Sequence, residues 1–108
     1  MTQPDFSATT TICHLARASE WSSYQASGRI APESLASEGF VHCSTHEQSA
    51  TTIARYFVGV DDLLVLTLSV AALGASIRWD ESHPGEWFPH VYAPIPLAAV
   101  IEVSPATA

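Results

Sequence analysis

Gly39-Phe40-Val41-His42-Cys43-Ser44-Thr45-His46-Glu47-Gln48 reads as a short strand that ends in a polar cluster and turns directly into a helix. Alternation along a strand puts Phe40, His42 and Ser44 on one face and Val41 and Cys43 on the other. Thr45 followed three residues later by Gln48 fits a capping box with Thr45 as N-cap. Behind it Ala50, Ile53, Ala54 and Phe57 recur at i, i+3, i+4 and i+7, the expected inward stripe of an amphipathic helix. His42 and Ser44 therefore belong at a strand end beside a helix N-terminus, where backbone donors converge. A site there and a hydrogen-bonded core histidine are both consistent with that placement.

Working outward, Thr9 to Ala16 is rich in β-branched residues and predicts a first strand, with His14 sharing a face with Ile12 and Ala16 while Cys13 faces the other way. Ser19 is placed to cap a short helix through Trp21 and Gln25, with Gly28 as its stop. Arg29 to Glu38 reads as a connecting loop. The continuous apolar run Leu63 to Leu68 predicts a central strand buried on both faces. Val70 to Leu73 forms one helical turn ended by Gly74, and Ile77 to Trp79 a short strand. Asp80 to Glu86 is a polar loop with turn chemistry at Pro84-Gly85. Trp87 to Tyr92 returns as an aromatic strand, and Leu97 to Val103 forms the last one. Several strands with two substantial helices make the chain α+β. Residues 9–104 are expected to form a single domain, and 1–8 a disordered N-terminal segment.

At 108 residues there is material for one core. Charged residues make up 14% of the chain, against the ~25% usual in soluble domains. There is no lysine; Arg17, Arg29, Arg55 and Arg78 carry all the fixed positive charge, and the net charge is −7. That balance argues against nucleic acid as a partner. The first residues lack the basic and apolar regions of a signal peptide, and no apolar run is long enough to span a bilayer. Reduced thiols at Cys13 and Cys43, a cytoplasmic location and no membrane partner are the corresponding expectations.

Three histidines stand out: His14, His42 and His90. Cys13-His14 and His42-Cys43 have the composition of a Cys/His ligand set, but strand neighbours point to opposite faces and the spacings match no zinc pattern. A set of His14, His42 and His90 stays geometrically open, yet nothing singles out a metal, and none is expected. Cys43 as a nucleophile fares worse, because it should face the core. His46 and His83 read as solvent-exposed. Trp87 and Phe88 are aromatic candidates for a ligand contact because they precede His90 so closely.

Ile-Cys-His-Leu (12–15), Gly-Phe-Val-His-Cys-Ser-Thr (39–45) and Phe-Pro-His-Val-Tyr-Ala-Pro-Ile-Pro-Leu (88–97) resemble a family of small bacterial domains of unknown function, from about Ile12 to Val103. That family in turn looks distantly similar to the ADP-ribosyltransferase-like superfamily, which includes RNA 2′-phosphotransferases. The resemblance implies a split, mainly antiparallel β core with two short helices around a cleft, and NAD as the candidate substrate. Carried over by position, His14 would bind the adenosine ribose, and His42 and Ser44 would lie beside the nicotinamide. His90 and Tyr92 would fall near the third motif, where many transferases carry a glutamate. The resemblance thus implies catalytic roles for His42 and His90 and binding roles for His14, Ser44 and Tyr92. The sequence departs from the pattern here: Glu86 is four residues too early, and a neutral histidine supplies no carboxylate charge to a developing oxocarbenium ion. Two functions follow, an NAD-using transferase or glycohydrolase, or a non-catalytic domain that binds a nucleotide or other small molecule in the same cleft.

Overall fold

A computed structural model describes residues 3–106. Strand β1 (Thr11–Arg17) pairs antiparallel with β4 (Leu63–Ser69), which pairs in turn with β8 (Val100–Pro105). The apolar run of β4 thus lies in the middle of a three-stranded sheet, as its composition requires. A second sheet has the order β3 (Val41–His42), β6 (Glu86–Val91), β5 (Ile77–His83), and a third pairs β2 (Arg29–Ile30) with β7 (Ile95–Pro96). The first two sheets meet at one point. Cys13 and Ser44 exchange both backbone hydrogen bonds, at 2.7 and 2.8 Å, so the chain leaving β3 lies along the free edge of β1. The result is an α+β domain whose antiparallel strands are split between sheets. Ile12, Ala16, Ile30, Val41, Leu66, Leu68, Val91 and Ile95 form the core between them.

The helices follow their end signals more closely than their faces. Helix α1 (Ala18–Ser27) begins a residue before the expected Ser19 cap: the Glu20 carboxylate accepts the Arg17 backbone N–H at 2.7 Å instead. It ends where expected, at Gly28 with φ 87°, a left-handed conformation that glycine adopts without strain. Arg29 to Glu38, expected as loop, contains β2 and the short helix α2 (Glu33–Ser37). Helix α3 (His46–Tyr56) has the full capping box, with Thr45 Oγ1 accepting the Gln48 N–H and Gln48 Oε1 accepting the Thr45 N–H. Its expected inward stripe is corrected. Ile53 and Phe57 are half-buried, Ala50 and Ala54 are exposed, and no side chain of the helix is fully buried. The helix roofs a cleft and does not plug the core, so its packed side is partly polar. Helix α4 (Val70–Leu73) is the single turn expected.

The polar stretch after Trp79 is also strand. β5 continues to His83 and β6 starts at Glu86, leaving Pro84-Gly85 as a two-residue turn. A ribbon wet on both faces shows no apolar alternation, so periodicity could not reveal it. Residues 97–99 form a 3-10 turn before β8. Phe6, in the segment expected to fray, stacks on Trp79 with ring centroids 3.8 Å apart; Met1 and Thr2 of that segment lie outside the described residues. Among the described residues no helix is long and apolar enough to cross a membrane.

Candidate functional site

The cleft opens where β1 and β3 part. β3 and β6 pair in a register that sets His42 opposite His90, and their rings lie edge to face with centroids 5.4 Å apart. Phe40, just before β3, lies over the His90 ring at 4.1 Å and nearly parallel. From the other side of the split, His14 donates Nδ1–H to the His42 carbonyl at 2.7 Å. Three imidazoles drawn from positions 14, 42 and 90 thus border one cavity of about 790 Å³, roofed by α3. That volume lies within the range of small-molecule sites.

Hydrogen bonding fixes how two of these rings present themselves. A carbonyl oxygen only accepts, so Nδ1 of His14 carries the proton and Nε2 is an acceptor. The His90 Nδ1 lies 2.7 Å from Asp80 Oδ2, and a carboxylate imposes the same tautomer. Neither Nε2 has a partner among the described residues, and no buried side-chain nitrogen or oxygen there is left unpaired. Both Nε2 atoms therefore keep access to the cavity that the two residues line. Burial lowers the His14 pKa against the pull of its hydrogen bond to His42. Burial likewise lowers that of His90, opposed by Asp80. Both rings are neutral near pH 7. His42 is more exposed, with Nε2 2.9 Å from Glu38 Oε2.

The other expected site residues divide. Ser44 is buried beside the cavity, with Oγ 3.4 Å from the Thr52 hydroxyl of α3. Tyr92 does not line the cavity; its hydroxyl donates to Asp80 Oδ2 behind His90, and its ring packs against the Arg78 guanidinium. Cys43 belongs to the core, where burial pushes its thiol pKa up. Cys13 is buried too, with its thiol pushed up to about 11 by burial. It packs against His46 rather than within the core cluster, its Sγ 3.2 Å from His46 Nδ1. His46 is solvent-exposed, as expected, and also lies 3.0 Å from the Thr11 hydroxyl. Phe88 lines the cavity, whereas Trp87 contributes its carbonyl, which accepts from Gln48 Nε2 at 2.6 Å and ties α3 to β6. Among the described residues no three His, Cys, Asp or Glu side chains are grouped to hold a metal ion.

Residues 15–103 match a family described as "Protein of unknown function (DUF952)". The chain belongs to this family. It is similar to protein CC0527 from Caulobacter crescentus. The crystal structure of that protein is 33% identical, with a TM-score of 0.81 over 89% of this chain and 85% of that one. Its solution NMR structure gives 32% identity and a TM-score of 0.76, over 90% and 84% of the two chains. No curated protein matches the sequence.

For this member of the family, the residue that sequence reading missed is Asp80. The hairpin starts by pairing His83 with Glu86, but a bulge at Ser82 shifts the register so that Glu81 meets Trp87 and Asp80 meets Phe88. The shift puts Asp80 on the face of Phe88 and His90; without it, Asp80 would share the face of Pro89 and Val91. A one-residue bulge in a polar ribbon leaves no mark on composition, and the only signal was the turn at Pro84-Gly85.

Proposed function

We propose that the cleft binds a ribose-bearing small molecule and that His90, oriented by Asp80, acts there as a general base in ribosyl transfer or hydrolysis. The observation that carries this reading is the pair of Nε2 acceptors of His14 and His90 on one cavity wall. Neutral imidazoles with a fixed tautomer accept hydroxyl protons, and His90, kept unprotonated by burial, is free to take a proton at physiological pH. The resemblance to ADP-ribosyltransferase-like enzymes makes NAD the candidate substrate. In this reading His14 accepts from a ribose hydroxyl, Phe40 holds the His90 ring flat, and Ser44 and His42 border the leaving group. Tyr92 acts through Asp80, helping to hold that carboxylate against His90. A cytoplasmic setting fits the two unpaired thiols.

A second reading, binding without turnover, is favoured by one observation. The carboxylate nearest His90 is engaged by both His90 and Tyr92, which leaves it unavailable to a sugar cation. Release of nicotinamide from NAD or from nicotinamide riboside by the purified protein separates the two. The catalytic reading expects release, reduced about 10²-fold or more in His90→Ala. Calorimetric binding without release would leave only the second reading, and no binding of either compound would remove both.

A further inference from the structure

We infer that this cleft prefers a small organic cation carrying a ribose to a dinucleotide diphosphate such as NAD. The inference rests on the ribose-binding reading above and adds the charge of the ligand.

The fixed charges on the cavity wall are Glu20, Glu47 and Glu86 against Arg55 alone. Arg55 is already engaged, with its guanidinium 3.9 Å from the Glu86 carboxylate. Of the other arginines, Arg17 pairs with Asp62, Arg78 lies on Tyr92, and Arg29 is outside the wall. With no lysine in the chain, a pyrophosphate entering this cleft would find no uncommitted lysine or arginine on its wall. It would instead meet Glu20 and Glu47, the wall carboxylates with no cation partner among the described residues, within a molecule of net charge −7. The neutral rings of His14 and His90 do not offset this balance. An organic cation meets the opposite situation: carboxylates and the aromatic residues Tyr24, Tyr56 and Phe88 border the same space. His14 supplies the independent pointer to a ligand. It is nine-tenths buried, and its Nε2 has no partner among the described residues although the ring lines the cavity.

An N-riboside of a quaternary aromatic ring meets these requirements and needs no negative charge beyond the wall. In its hydrolysis the oxygen of water bonds to C1′ as the C1′–N bond breaks. The bonding pair neutralises the ring nitrogen, and the water proton passes to His90 Nε2 and on to solvent. The base leaves uncharged, so the step requires no acid.

The test is calorimetric titration of the intact protein with nicotinamide riboside, neutral inosine and NAD. Nicotinamide riboside should bind at least about tenfold more tightly than NAD, with inosine between them. Glu47→Gln should weaken nicotinamide riboside by about threefold, the scale of one partly screened charge, and leave inosine unchanged. NAD binding as tightly as nicotinamide riboside, or more tightly, would overturn the charge assignment while leaving the ribose reading intact. An unchanged affinity for nicotinamide riboside in the Glu47 variant would do the same. If none of the three compounds binds, the ribose reading itself fails.

Discussion

His14 links stability to pH. Its folded pKa lies below the ordinary value of about 6.5, because burial disfavours the charged ring. The unfolded chain therefore takes up the proton first as pH falls. Stability from this group is fully present above pH ~6.5 and declines as pH drops from there toward the folded pKa. Chemical denaturation at pH 7.5 and 5.5 should show the loss. His14→Asn, which keeps a donor for the His42 carbonyl, should lose less over the same interval; equal losses would place the dependence elsewhere. His14 was legible in the sequence because it interrupts an otherwise apolar and β-branched strand. Asp80 was not, since a single aspartate in Asp-Glu-Ser-His has the character of any solvated turn, and only the bulge at Ser82 aims it at His90.

At the scale of elements, the end signals of α3 were readable and its face was not. Thr45 and Gln48 specify where the helix begins through local hydrogen bonds, independent of tertiary context. Which side packs depends on what lies beneath it, and beneath this helix lies a cavity. With no fully buried side chain, α3 is tied down by its cap, by His46 on Thr11 and Cys13, by Gln48 on the Trp87 carbonyl and by Thr52 beside Ser44. Thr45→Ala should therefore cost about 1 kcal/mol, and the cost should be local. Hydrogen exchange should quicken for the amides of residues 46–56 and stay unchanged in β4. A uniform quickening through β4 would mean that α3 unfolds with the core and is not a separable roof.

For the molecule as a whole, the α+β class and the central place of β4 follow from the apolar run at 63–68 and the two capped helices. The split was not evident from composition. It depends on the Cys13–Ser44 bridge, in which a chain segment too short to pair as a strand closes the gap between two sheets. That bridge brings the first histidine to the other two, and their tautomers give the cleft its proposed chemistry. Long-range proton–nitrogen correlation spectra of the imidazoles test this most directly, in the free protein and with nicotinamide riboside added. His14 and His90 should both carry the proton on Nδ1, and their Nε2 signals should shift on addition of ligand. Protonation on Nε2 in the free protein, or binding that leaves both Nε2 signals unmoved, would contradict that chemistry.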